Sequence, residues 1–317
     1  MRITLRPASR WFGLILLLEL GLHASIASAV TPRWKFQKGE SLQYVLDQKT
    51  VTEVSGIPQE VKSTMSQTID LRWMVRDVDA EGKASLAQSI SRVRTRIESP
   101  VGAFEFDSNA EKDPAGPAGA VLGPLLRSLV GTEFLFKMSP RGEISDIKVP
   151  EKVVEAIKKT GPLGGGAGMF SEDGMKNMIS EMGLTLPNED LNKGKEWSSE
   201  SKTSMPQVGV LSRTKTYQYQ GAEAKDAKSL ERIDQTTKVV MQPDPKSNVD
   251  IKINEQKSEG RFYFDNARGY INESNLSENI KMTFKIKIGD VEQDVTQGNE
   301  STTVLKLVKA SDAEPSK

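Results

Sequence analysis

Met65-Ser66-Gln67-Thr68-Ile69-Asp70-Leu71-Arg72-Trp73-Met74-Val75-Arg76 is the stretch that decides the fold. Met65, Ile69, Leu71, Trp73 and Val75 share one parity, whereas Ser66, Thr68, Asp70, Arg72 and Arg76 hold the other, with Met74 the exception. Successive side chains of a strand point to opposite faces, so this period of two describes an antiparallel strand with one buried and one wet face. After a polar turn at Asp79-Ala80-Glu81-Gly82 the pattern resumes with Ala84, Leu86 and Ile90, which makes a long hairpin.

Working outward, similar strands are expected at 42–54, 133–138, 143–149, 197–205, 212–220, 232–241, 249–257, 261–265, 278–288 and 301–309. So many strands joined by short polar turns predict a mainly β protein with a few helices, built as a curved antiparallel sheet or half-barrel. Helices are expected at three places. Residues 121–130 are apolar, with Pro124 inside; 151–159 follow Pro150, open on Glu151, end on Lys159 and stop before Gly161; the third spans 171–183. In the third, Met175, Met178, Ile179 and Met182 fall at i, i+3, i+4 and i+7, one apolar stripe.

The chain divides into a first β-rich half at 30–149, a helical, glycine-rich connection at 150–192, a second β-rich half at 193–310 and a disordered tail at 311–317. Phe36-Gln37-Lys38-Gly39-Glu40 enters a strand in the first half, and Leu191-Asn192-Lys193-Gly194-Lys195-Glu196-Trp197 enters one in the second. Pro140-Arg141-Gly142 and Ala267-Arg268-Gly269 each follow a Phe-containing strand. The halves read as related, provided the first holds an insertion between Pro100 and Val130.

Residues 1–29 have the order of a secretory signal: Arg2, Arg6 and Arg10, an apolar run at 11–22 broken by Glu19, then Ala27-Ser28-Ala29. That run is too short to span a bilayer, which needs about 20 residues. The expectation is an exported protein, periplasmic or extracellular, without a transmembrane span after cleavage. The chain has no cysteine, and its one histidine, His23, leaves with the signal. Histidine-dependent triads, histidine-ligated metals, thiolate chemistry and disulfides are thereby excluded from the mature chain. The full chain balances 43 basic against 43 acidic residues. Loss of three arginines and one glutamate leaves a slight negative charge, which does not suit nucleic acid.

Several segments invite a functional reading. Asp77-Val78-Asp79-Ala80-Glu81-Gly82 starts like a calcium loop, yet Gln88 stands where the bidentate glutamate belongs, so it reads as a hairpin turn. The glycines of 161–168 lack the lysine of a phosphate cradle and read as a linker. Arg92, Arg94 and Arg96 continue the parity of Leu86 and Ile90. Either a bulge flips the strand, or an apolar face turns cationic at its mouth and suits an amphiphile with an anionic head. The Met175, Met178 and Met182 stripe reads as packing of a helix on a sheet, or as an adaptable lid over an apolar cavity. No cofactor or metal is expected. Paired carboxylates can hydrolyse glycosidic bonds without histidine, but nothing in the sequence singles out a pair.

Lys38-Gly39-Glu40 before a strand, the strand-turn-strand around Pro140-Arg141-Gly142, Leu186-Pro187 followed by Gly194-Lys195-Glu196-Trp197, and the hairpin from Phe264-Asp265 to Gly269 together resemble an exported bacterial β-rich family of unknown function. The resemblance implies localisation and fold and no catalytic residue. In architecture alone the expected sheet is similar to the half-barrels of periplasmic lipoprotein carriers. The function this supports is non-enzymatic binding of an apolar or amphiphilic, lipid-like ligand, with Met175, Met178 and Met182 at the lid and Arg92, Arg94 and Arg96 at the rim. The alternatives are a carboxylate-based hydrolase and an envelope scaffold or protein-interaction module.

Overall fold

A computed structural model describes residues 29–311, except 101, 160–171, 182, 206, 207, 248, 289 and 290. The first half supplies β1 (Ser41–Ser55), β2 (Val61–Val78), β3 (Ala84–Ser99), β4 (Gly102–Asp107), β5 (Glu133–Met138) and β6 (Ile144–Lys148). The second supplies β7 (Glu196–Met205), β8 (Gly209–Lys225), β9 (Lys228–Pro243), β10 (Val249–Asp265), β11 (Tyr270–Ile288) and β12 (Val291–Ser311). Between β4 and β5 lies α1 (Gly116–Leu129), and between β6 and β7 lie α2 (Glu151–Lys159) and α3 (Glu172–Glu181). Helix α1 begins earlier than its apolar run because Pro117 serves its first turn.

All twelve strands form one antiparallel sheet, in the order β6-β5-β3-β2-β1-β12-β11-β10-β9-β8-β7 with β4 also on β3. The two halves are joined directly, since β1 pairs with β12 from Ser41↔Ser311 to Ser55↔Thr296. Edges β6 and β7 are not paired with each other, so the sheet is open.

How strongly the sheet curls follows from Trp34, which lies before β1 and is 2% exposed. Its ring sits 6.2 Å from Trp73 on β2 and 5.5 Å from Phe264 on β10. Those two rings are therefore no more than about 12 Å apart, whereas four strand spacings in a flat sheet would separate them by about 19 Å. The sheet bends around the indole. Trp73 adds edge contacts to Tyr44 at 5.6 Å and Phe136 at 5.9 Å, so one aromatic cluster ties β1, β2, β5 and β10 together.

The indole N–H of Trp34 donates to Leu184 O at 3.0 Å, and that of Trp197 on β7 donates to Thr185 O at 2.7 Å. Leu186 N–H in turn donates to Arg141 O at 2.8 Å, in the β5–β6 turn. The segment 184–186 thus connects the two edges of the sheet at one end. Close approach there demands glycine: a Cβ on Gly142, at φ +86°, would lie 2.1 Å from Leu184 O and 2.6 Å from Trp34 Nε1. Gly269, at φ +77°, does the same for the second half, because its Cβ would meet Lys35 N at 2.3 Å.

The turns that suggested related halves have matching geometry. Gly39 N–H donates to Val75 O and Val75 N–H to Glu40 O; Gly194 N–H donates to Tyr219 O and Tyr219 N–H to Lys195 O. Two residues before these, Trp73 pairs with buried Gln88 and Tyr217 with buried Gln235. Strand β4 and α1 occupy the span between Pro100 and Val130.

Trp34→Ala should destabilise the protein by about 3–5 kcal/mol, the usual cost of deleting a buried tryptophan ring. Urea titration followed by far-UV circular dichroism checks this. Because β1 and β12 join the halves, wild type should unfold in one transition.

Candidate functional site

Cross-strand registers sort the inner face, the one holding Trp73, into three zones. At the end nearest Trp34, Leu42, Tyr44, Leu71, Phe136, Met138, Ile233, Phe262 and Ile271 form a packed base. Burial of Tyr44 raises its hydroxyl pKa far above the ordinary range, and the hydroxyl donates to Ile271 O at 3.1 Å. Further along the same strands the inner residues become polar: Gln48 faces Gln67 and Thr303, and Gln67 faces Thr95. This belt bonds to itself, Gln67 Nε2 donating to Thr95 Oγ1 at 3.0 Å and Thr52 Oγ1 to Asn299 Oδ1 at 2.9 Å.

Beyond the belt, at the ends of β8–β12 farthest from Trp34, the inner face carries apolar residues again, with Arg213 facing Val239 and Gln297 facing Met282 among them. Leu211 faces Met241, Ile253 faces Met282, Ile251 faces Phe284, and Phe284 faces Val295. Val239, Ile251 and Ile280 are buried, while Leu211, Met241, Ile253, Met282, Phe284 and Ile286 remain part-exposed. Among the described residues the helices pack on β3, β4, β6 and one another, and none covers this rim. Its signal in the sequence is the alternation Ile280-Lys281-Met282-Thr283-Phe284-Lys285-Ile286.

The structure separates the six residues expected to surround one ligand. The β2–β3 register passes from Leu71↔Ile90 to Asp70↔Arg92, leaving Ser91 as a bulge. Arg92, Arg94 and Arg96 are therefore turned to the face opposite Leu86 and Ile90. Each has a carboxylate: Arg92 bonds Asp107 at 2.6 Å, Arg94 bonds Asp70 at 2.8 Å and Arg96 bonds Glu98 at 2.7 Å. On that outer face Asp47, Lys49, Arg94, Arg96, Glu105 and Asp107 line a cleft of about 640 Å³ whose charges balance. Met175 and Ile179 of α3 join the packed core, Met178 is 54% exposed, and Met182 lies outside the described residues, as do 160–171.

Other charges also serve the sheet. Burial alone would push the Glu273 carboxyl up, but bonds from Lys225 at 2.7 Å and Asn275, with the charges of Lys225 and Lys306, bring it below its ordinary value. Among the described residues no group of three or more acidic, histidine or cysteine side chains is arranged to hold a metal. The hairpin turn at Asp79 uses its carboxylate on its own backbone, accepting from Glu81 N–H and Lys83 N–H.

A family profile matches residues 81–271, which span β3 to the start of β11. The chain belongs to the family of unknown function DUF6263. No curated protein matches the sequence. Among solved structures, the chain is similar to lipovitellin in a structure titled for its lipid–protein interactions, at 15% identity and a TM-score of 0.46, covering 89% of this chain and 26% of that one. The DUF6263 chain thus spans about a quarter of lipovitellin's length. It is also similar to a putative exported protein with a YMCC-like fold from Bacteroides fragilis, at 8% identity, TM-score 0.26, and coverage of 88% and 100%. A third is a putative outer membrane lipoprotein-sorting protein domain from Vibrio parahaemolyticus, at 8% identity, TM-score 0.19, and coverage of 89% of each chain. The functional reading rests on this chain's own geometry.

The arginine face makes a pH prediction. The bond from Arg92, with that from Asn109 N–H, lowers the Asp107 carboxyl pKa from 3.8 to about 2. A carboxyl whose folded value lies below its unfolded value, about 3.9, stabilises the fold above that unfolded value and loses its contribution as pH falls through the folded one. Stability carried by this pair should decline between about pH 4 and pH 2, and Asp107→Asn should remove that part of the acid dependence. Carboxyl-carbon NMR titration checks the midpoint.

Proposed function

We propose that this DUF6263 protein is an exported envelope protein that holds an apolar or amphiphilic molecule against the inner face of its open sheet. The observation that carries this reading is the apolar rim of Leu211, Met241, Ile251, Ile253, Phe284 and Ile286, which no helix covers among the described residues. Covering the part-exposed apolar surface of such side chains is favourable by about 25 cal/mol per Å², which gives an acyl chain a reason to lie along the rim. The polar belt below the rim offers amide and hydroxyl groups to whatever polar end the ligand carries. Arg92, Arg94 and Arg96 have no part in this arrangement, being salt-bridged on the other face.

Export rests on the signal-like residues 1–29. Cleavage after Ala29 would leave Val30 as the first residue, and Val30 exchanges backbone bonds with Leu191 at 3.1 and 2.7 Å. A new ammonium group at Val30 could still donate to Leu191 O.

Native mass spectrometry of protein recovered from its own envelope tests both parts at once. The expected result is a polypeptide starting at Val30 with a co-purifying lipid-like mass, and added oleate binding at least tenfold more weakly to Phe284→Asp. A clean apo mass that also ignores added fatty acids would end the ligand reading, and an uncleaved chain would end the export reading.

A further inference from the structure

The sheet has two edges, and they are built differently. Strand β6 is 5 residues long, its register on β5 breaks between Leu135 and Lys137, and Asp146 within it stands at φ +54°. Short length and an irregular backbone are ordinary protections of an exposed edge. Strand β7 has neither. Its 10 residues hold an unbroken register on β8, from Glu196↔Gln218 to Met205↔Gly209, with no proline among them. Among the described residues β7 pairs with β8 alone, and the helices pack on β3, β4, β6 and one another.

Which backbone groups reach the free edge follows from the strand entry. Tyr219 N–H donates to Lys195 O. The alternation of an antiparallel ladder then gives the N–H and C=O of Trp197, Ser199, Ser201 and Thr203 to β8, and turns those of Ser198, Glu200, Lys202 and Ser204 outward. The side chains of the latter four are exposed, on the face opposite Trp197. A second copy of β7, run antiparallel, must bring outward residues against outward residues, and charge then selects the register. Centred on Glu200 or on Lys202, a two-fold axis would set that residue against itself. Centred on Ser199, it would set Lys202 against Glu196, which already accepts from Gln218 at 2.9 Å, and leave Glu200 against Ser198. Centred on Ser201, it sets Glu200 against Lys202 twice, with Ser198 against Ser204 and Ser199 against Thr203. Lys202 Nζ already lies 3.3 Å from Glu200 Oε1 within one chain, so the two copies would form one square of alternating charge.

We infer that β7 is a self-association edge: two copies of this chain join through it about a two-fold axis at Ser201, and their sheets continue as one. The pairing is isologous, each copy offering the same strand, so it closes at two. It adds about eight backbone hydrogen bonds, two for each pair of outward residues, and satisfies donors and acceptors that water otherwise holds. Pairing of β7 with β6 of another copy is the geometric alternative, and it would not close. The short, irregular β6 opposes it. This edge is separate from the amphiphile reading, and either can fail alone.

Sedimentation velocity of the mature chain tests this. An interface of one strand pair is small, so the expected result is a monomer–dimer equilibrium whose dimer grows as concentration rises toward about 0.5 mM. Glu200→Lys puts a cation against Lys202 of the second copy, and Lys202→Glu puts an anion against its Glu200; each should weaken dimerisation at least tenfold. Mixing the two variants in equal amounts should restore association to within threefold of wild type, because each supplies the charge the other lacks. Ser204→Pro deletes an N–H that faces the free edge and none that bonds β8, and should also weaken the dimer at least tenfold. Circular dichroism verifies that each variant keeps its strands, and the charge changes, at exposed positions, carry the test if the proline variant does not fold. The inference is overturned by a protein that stays monomeric across the range, by a dimer indifferent to Glu200→Lys, or by no recovery on mixing. Oligomers that grow beyond two would overturn it as well, in favour of β7 pairing with β6.

Discussion

Trp34 belongs to no strand, yet the shape of the sheet depends on it. Its ring meets Trp73 and Phe264, which stand four strand positions apart, and its N–H holds the carbonyl of Leu184. An indole is large, rigid and apolar except for one donor, so burying it fixes both a distance and a direction. The distance bends the sheet between β2 and β10. The direction brings in the segment at 184–186, which then reaches Arg141 on one side and Trp197 on the other. Gly142 and Gly269 leave the space this requires, one in each half.

Closing one end in this way has consequences at the other. The strands continue well past the packed base, where among the described residues several inner side chains stay part-exposed. A sheet must bury its apolar face against something, as layer packing requires. Gln67 with Thr95, and Thr52 and Gln297 with Asn299, solve this locally by bonding along the face. Ile253, Met282 and Phe284 do not, and these part-exposed apolar side chains are what makes a binding role the natural reading. The β9–β10 ladder also ends toward this side of the sheet, and beyond its last pair the Gln256 side chain bonds the Val239 backbone.

Much of this was legible in the residues. The alternation in β2 and the turn at Asp79 marked the hairpin, and the glycine turns at Gly39 and Gly194 were legible as strand entries. The flip at Ser91 was one of two readings of Arg92, Arg94 and Arg96, and sequence could not choose because a bulge leaves no fixed residue signature in so polar a strand. Strand β10 was expected as two pieces, because Ser258-Glu259-Gly260 looks like a break; Gly260 is instead covered by Leu276, which a Cβ would meet at 2.6 Å. Trp34 gave no periodic signal, and its carbonyl partner lies 150 residues away.

The curl itself can be measured directly, because a chain without cysteine accepts two introduced thiols cleanly. Spin labels at Glu143, beside the β5–β6 turn, and at Glu196, where β7 begins, report the gap between the sheet's edges. The connections through Leu186, Thr185 and Trp197 predict a label separation under about 30 Å, whereas ten strand spacings laid flat would give roughly 48 Å. A pulsed dipolar distance in the shorter range, lengthening in Trp34→Ala, is the expected result. A distance near 45 Å or more in the wild-type protein would contradict the account.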